Sequence, residues 1–291
     1  MITPGIYPTL SNDNYHDDGA ISRSGIKLFC ESPFKYWAHY LNPDRPPVKQ
    51  TEAMQFGSAF HKWILEPNSF YQEFIFEPQL QKLPKCELLR NVGREEFDRQ
   101  KKIKDNIRKS NDIIKEEFAE VADGKTILNE DDYEQLTQMR FSLMNHPQAW
   151  SLIKEAKYEE SYLWEDEHSG LMVKCRPDIL RENCIVDLKT CTSADSKTYQ
   201  RDMYIGDYHT QGAMIREGVK QLTGVDIPTV INICIEKTYP YAIGIKIISP
   251  SALEAGHMRF KQTLLDMKAC FASNTWDSYE IEEVELPKWA G

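Results

Sequence analysis

The 291-residue sequence has no CxxC pair, no apolar run near the ~18 residues that a membrane helix needs, no excess of positive charge, no internal repeat and no low-complexity segment. Each absence excludes something. Seven cysteines, at positions 30, 86, 175, 184, 191, 234 and 270, are odd in number and irregular in spacing. They fit neither a zinc ribbon nor a disulfide framework and predict reduced, mostly buried thiols. An iron–sulfur cluster would need four thiolates gathered from distant positions, and none is expected. The N-terminus MITPGIYPTLSND lacks a basic region followed by an apolar core, so the expected compartment is the cytoplasm, with no membrane partner. A net charge of -10 and a pI near 5.3 argue against coating nucleic acid by bulk electrostatics. An enzyme that holds DNA in a locally basic channel is still allowed. The most basic stretch, Arg94 to Lys109, has seven Lys/Arg against four Asp/Glu and reads either as a solvated helix face with i,i+4 pairs or as a phosphate contact.

What is present is a helical first half followed by strands. Residues 1–20 read as turn-rich and irregular. Ser22 and Ser24 sit where a helix begins, with Ile26, Phe29 and Cys30 on its apolar face, and can cap it or meet a phosphate. A second helical stretch carries Tyr36, Trp37 and Tyr40, and Pro43 to Val48 reads as a connector. Ala53 to Leu65 reads as a helix buried through Phe56, Phe60, Trp63 and Ile64. His61 lies on it with Gly57 one turn earlier, and is either a structural histidine or a ligand. Charged helices are expected over Glu95–Val121 and Asn129–Met144, a strand over Tyr158–Glu165, and helices over Ala194–Met203 and Gly206–Gln221. In the last of these Tyr208, Gln211 and Ile215 share a side, with Tyr204 just upstream. Strands at Thr229–Glu236 and Tyr241–Ile248 precede a long helix from about Pro250 to Ala272. Alternation of this kind predicts an α/β sheet covered on both faces.

The chemistry concentrates in Leu171 to Thr190. Leu171, Val173, Cys175 and Ile179 alternate with Lys174, Arg176 and Asp178, a period of two that predicts a strand with Asp178 on its polar face. A polar turn at Arg181–Asn183 leads to a second run in which Asp187 and Lys189 share a face. Paired as a hairpin, the runs bring two carboxylates and an ammonium together at a solvent-facing sheet end. Carboxylates can hold Mg²⁺, the ion polarises a phosphodiester, and a lysine orients water or steadies charge. Asp178 and Asp187 would be metal ligands with the Leu188 carbonyl, Lys189 the catalytic amine, and Glu159 an acidic neighbour. An ion pair at a sheet edge explains the same residues without catalysis.

Beyond that pattern, GIYPTLSNDNYH, ISRSGIKLFCESPFKYW, FGSAFHKWILEP, SYLWED, CRPDIL, IVDLKT and the terminal LPKWA, in this order, resemble the nuclease domain of the RecE (exodeoxyribonuclease VIII) family. That family lies in the PD-(D/E)xK superfamily with lambda exonuclease and the RecB-type nucleases. The resemblance runs from Gly5 to Trp289. It implies a restriction-endonuclease-like mixed sheet flanked by helices in one domain over 1–291: a helical part to about 155, a catalytic sheet core over about 156–250, and a C-terminal helix and tail. It implies His61, Asp178 and Asp187 as metal ligands, with Lys189, Gln211 and Glu159 in catalysis. Ser22, Ser24, Arg176 and Tyr208 are implied contacts to DNA or its 5′ phosphate. Mg²⁺, with Mn²⁺ as substitute, is the implied cofactor. The implied activity is 5′→3′ digestion of linear double-stranded DNA by a trimeric or tetrameric ring, leaving 3′ overhangs for a RecT-like single-strand annealing protein in a bacterial or phage setting. Full-length RecE has a long N-terminal region that this sequence lacks, so the chain is read as a short relative or an excised domain. The competing readings are a RecB-like nuclease of other polarity, an endonuclease on branched or single-stranded DNA, and an inactive DNA-binding or assembly module.

Overall fold

The computed structural model describes residues 2–47, 50–87, 89–279 and 281–286. Val48 of the expected connector and Pro287–Ala290 of the LPKWA motif fall outside them. The first elements are β1 (Gly5–Tyr7), α1 (Asn12–Asp17), α2 (Arg23–Glu31) and α3 (Pro33–Tyr36), which runs into a π-helical turn at Trp37–Leu41. Next come α4 (Glu52–Leu65), α5 (Phe70–Glu73), β2 (Phe74–Phe76), α6 (Leu89–Val92), α7 (Arg94–Ala122), β3 (Thr126–Leu128), α8 (Glu130–Met144) and α9 (Pro147–Ile153). The remainder holds β4 (Lys157–Tyr158), β5 (Ser161–Glu165), β6 (Met172–Cys175), β7 (Ile179–Leu180), β8 (Ile185–Cys191), α10 (Ser196–Ile205), α11 (Tyr208–Thr223), β9 (Val230–Glu236), β10 (Ile243–Ile247) and α12 (Pro250–Ser273). No helix among the described residues is long and apolar enough to cross a membrane.

The chain divides into two compact units, one of residues 50–141 and one of residues 1–49 with 142–291. In the first, Thr51 caps α4 by accepting the Met54 N–H, and Phe60 is fully buried on the predicted stripe. β2 and β3 pair in parallel. On α7 the basic stretch is exposed and laced with helical pairs, Arg99 with Glu96 at 3.4 Å and Arg108 with Asp105 at 3.8 Å, which is the solvated-face reading.

The larger unit has two sheets, ordered β1-β5-β6 and β10-β9-β8-β7-β4. In the five-stranded sheet β8 and β9 are parallel, joined by the crossover helices α10 and α11, and the other pairs are antiparallel. The first twenty residues are more ordered than their turn-rich composition predicts. β1 pairs with β5, a three-residue strand whose order comes from a partner far along the chain. On α2, Ile26 and Phe29 are buried, but Cys30 is exposed. Only Cys175, Cys184 and Cys234 are buried, so the thiols are free but not mostly buried.

Neither of the two central strand predictions survives whole. The stretch 158–165 splits into β4 and β5, and 171–180 splits into β6 and β7, with the halves in different sheets. At the break Glu159 adopts φ +52°, and its N–H reaches the Asp178 carbonyl at 3.3 Å. Pro177, which has no N–H to give a ladder, precedes Asp178 in the facing strand. The alternation of 171–179 also fails to sort inside from outside, because Lys174 is buried and its ammonium donates to the Tyr15 carbonyl.

Helix α11 is held close to its neighbours by small residues. A Cβ on Gly218 would lie 2.5 Å from the Trp164 ring, and one on Gly256 of α12 would lie 2.5 Å from the His209 carbonyl. This packing sets where Tyr208 and Gln211 stand over β8.

Candidate active site

Within the larger unit, β8 presents Asp187 and Lys189 on one face, as the D-x-K spacing predicts. Asp187 Oδ1 accepts a hydrogen bond from Gln211 Nε2 at 2.7 Å, and Gln211 Oε1 accepts from Lys189 Nζ at 3.1 Å. Lys189 Nζ lies 2.7 Å from Asp187 Oδ2, closing a ring of three side chains. The Tyr208 ring centroid is 4.7 Å from the same ammonium, a cation–π contact. The ring is not solvent-facing as expected: the Asp187 and Lys189 side chains are 5% and 17% exposed.

Burial alone would depress the Lys189 pKa, but the Asp187 and Asp178 carboxylates outweigh it and hold the ammonium above its ordinary value.

Asp178 stands at the break before β7, where the hairpin register places it opposite Asp187. Its Oδ2 accepts the Leu188 N–H at 2.7 Å. Glu159 and Asp178 offer carboxylate oxygens within 4.8 Å of each other, a spacing one cation can bridge. Glu159 and Asp178, two carboxylates meeting at a strand break, offer oxygen donors of the kind that fits a hard divalent ion. Leu188, whose carbonyl was an expected ligand, sits in β8 with its side chain fully buried. His61 lies on α4 in the unit of residues 50–141, with open space where a Cβ on Gly57 would stand.

The residues expected at a phosphate divide in two. Arg176 donates to Ser161 Oγ at 2.8 Å, Asn12 Oδ1 at 2.5 Å and the Leu10 carbonyl at 2.9 Å, and its guanidinium stacks on Tyr15 at 4.2 Å. These contacts account for it as a clamp on the N-terminal segment. Ser22 caps α2 by accepting the Gly25 N–H at 3.3 Å. Ser22 and Ser24 also line a cavity of about 330 Å³ with Arg23, Arg45, Arg176 and Gln211. Arg23 and Arg45 are absent from the sequence reading. Arg23 could have been noticed between the two serines, whereas nothing local marks Arg45 in its connector. Tyr204, expected beside Tyr208, belongs to α10 and is 77% exposed.

A comparison with curated proteins gives no match. Among solved structures, the chain is similar to a crystal structure of a candidate exonuclease from Eubacterium rectale. The identity is 18% over 94% of this chain and 96% of that one, with a TM-score of 0.55. At that identity the likeness speaks for the fold alone. It is the mixed sheet flanked by helices that the sequence predicts, with a helical first half. The family described as PDDEXK-like domain of unknown function matches residues 22–287. Spanning nearly the whole sequence and every element of the ring, that match places this chain in the PDDEXK-like DUF3799 family.

Proposed function

We propose that the chain is a divalent-metal-dependent deoxyribonuclease of the RecE type, digesting one strand of linear duplex DNA from its 5′ end. The observation that carries this is the closed Asp187–Gln211–Lys189 ring beside Asp178 and Glu159. An ion pair at a sheet edge needs no glutamine bridging both partners, no tyrosine face under the ammonium and no second carboxylate anchored to the intervening residue.

In this reading Asp178, Asp187 and Glu159, with the Leu188 carbonyl, hold Mg²⁺, for which Mn²⁺ substitutes, and resemblance to RecE is what supports His61 as a ligand. The ion supplies Lewis acidity toward the phosphodiester. Gln211 fixes the Asp187 and Lys189 head groups against each other, so that neither reorients as charge develops. Lys189, held protonated, faces the scissile phosphate and offsets its growing negative charge. The cavity with Ser22, Ser24, Arg23 and Arg45 receives the 5′ phosphate, two guanidiniums being suited to a dianion. Resemblance to RecE supports the polarity, the ring assembly and hand-over of a 3′ overhang to an annealing protein in recombination.

The test is digestion of end-labelled linear duplex with a 5′ phosphate, beside 5′-hydroxyl and closed-circular controls in Mg²⁺. The reading expects release from the 5′ end and an intact circle. Release from the 3′ end, or cutting of the circle, favours the RecB-like or endonuclease alternatives, and no hydrolysis favours a binding module.

A further inference from the structure

The face of β8 that carries the ring continues onto β9. In the parallel register Asp187 lies beside Asn232 and Lys189 beside Cys234, so these four side chains share one face. Tyr199 of α10 packs on Cys234 there. Three polar atoms on this face are buried without a hydrogen-bond partner among the described residues: Asp187 Oδ2, Asn232 Nδ2 and the Tyr199 hydroxyl. Asp187 is 3%, Asn232 2% and Tyr199 8% exposed.

Buried donors without a partner are rare because each loses its bonds to water, and two of them, Asn232 Nδ2 and the Tyr199 hydroxyl, near a carboxylate oxygen held only by an ion pair ask for a cause. Their chemistry is complementary. The Asn232 amide donates, the carboxylate accepts, and a phenol does either. Asp187 Oδ2 is ion-paired with Lys189 at 2.7 Å, and a carboxylate oxygen has a further lone pair with which to accept a second bond. Neighbouring strands lie about 4.8 Å apart, a gap that one water spans between side chains in register. Burial, Cys234 and the Asp187 carboxylate all push the Tyr199 hydroxyl's pKa up, so it stays a neutral donor within reach of that charge.

We propose that one buried water, held by Asn232 Nδ2 and the Tyr199 hydroxyl, donates to Asp187 Oδ2, so that Asn232 and Tyr199 are positioning residues for this carboxylate. Gln211 grips Asp187 from α11 through Oδ1, and the water grips it from β9 and α10 through Oδ2. A carboxylate held at both oxygens cannot rotate about its last bond, which is the freedom that would blur its place among metal ligands. The structural claim stands on the buried atoms alone, while its consequence for hydrolysis rests on the nuclease reading.

The test has two arms. A high-resolution crystal structure of the wild-type protein is expected to show an ordered water within hydrogen-bond distance of all three atoms, whereas direct bonding between the side chains would overturn the proposal. In the second arm Tyr199→Phe, Asn232→Leu and the double variant are compared by calorimetric Mg²⁺ titration and by kcat and KM on linear duplex. Each single change is expected to weaken Mg²⁺ binding and lower kcat about tenfold with KM for DNA unchanged, and the double variant to lose no more than either single one, because both remove the same water. If Asn232→Leu fails to fold, Asn232→Ala replaces it with the same tenfold loss expected, and unchanged Mg²⁺ binding in that variant would overturn the proposal. Additive losses near a hundredfold, or losses of thermal stability with unchanged metal binding, would overturn it. A wild type that shows the water and binds Mg²⁺ but digests no DNA refutes the nuclease reading and leaves the network standing.

Discussion

Asp178 is fastened to the backbone of β8, its Oδ2 accepting the Leu188 N–H at 2.7 Å. Since Leu188 sits between Asp187 and Lys189, one bond from a neighbouring hairpin arm sets the distance between the first carboxylate and the D-x-K pair. Asp178→Asn keeps an oxygen acceptor for that N–H and removes the charge. It is expected to fold normally and to lose Mg²⁺ binding and hydrolysis. Asp178→Ala should in addition lower stability by about 1–3 kcal/mol, because a buried N–H loses its partner. Chemical denaturation beside calorimetric metal titration separates the two effects.

Asp187→Ala leaves a buried ammonium without its counter-charge, so it is expected to cost about 3 kcal/mol or more of stability as well as activity. Asp187→Asn is the cleaner variant. It and Lys189→Ala should lower kcat about a thousandfold or more on linear duplex in saturating Mg²⁺, as removal of a group acting in a coupled unit does. Near-wild-type turnover by either would sink the assignment of the ring to catalysis.

His61→Ala discriminates a ligand from a structural histidine. A ligand's loss is expected to weaken Mg²⁺ binding about ten- to a hundredfold with the melting temperature nearly unchanged. A lowered melting temperature with intact metal binding assigns His61 to packing.

Ser22 and Ser24 part company on the same grounds. Ser22→Ala removes the α2 cap and should cost about 1 kcal/mol in thermal unfolding. Ser24→Ala and Arg45→Ala are expected to leave stability within about 0.5 kcal/mol, since surface changes away from such features usually do. Both should shrink the preference for 5′-phosphorylated over 5′-hydroxyl ends several-fold. An unchanged preference removes the phosphate from that cavity.

Away from the site, Asp166 accepts hydrogen bonds from the Ser169 N–H at 2.8 Å and Ser169 Oγ at 2.7 Å and is paired with Lys261. Burial pushes its pKa up, but the Lys261 ammonium and the Ser169 donors overcome this and hold it below the usual carboxylate range. A depressed folded pKa stabilises above the unfolded value of about 3.9 and loses that contribution as pH falls through the folded value. Denaturation midpoints should therefore drop below about pH 4, and Asp166→Asn should flatten that acid limb.

How much of this was legible in the sequence follows from how local each signal is. The helix start at Ser22, the shared face of Asp187 and Lys189, and the strands of β8 and β9 are written in neighbouring residues, because capping, period-two alternation and β-branched runs act over a few positions. The resemblance supplied Gln211, which no local pattern singles out. The break that divides 158–165 and 171–180 between two sheets was hidden, since it depends on Glu159 in a left-handed conformation facing Asp178 across the strands, a relation between strands rather than within one. Burial of the ring was hidden for the same reason: two charged residues at a strand end look solvent-facing until α11 covers them. Sequence alone determined which chemical groups the site contains and the elements that carry most of them. Tertiary structure decided which of those groups bond to one another, that the Asp187 and Asp178 carboxylates raise the Lys189 pKa, and that Asn232 lies beside Asp187, because contacts across strands and helices depend on register and packing that no short stretch of chain encodes.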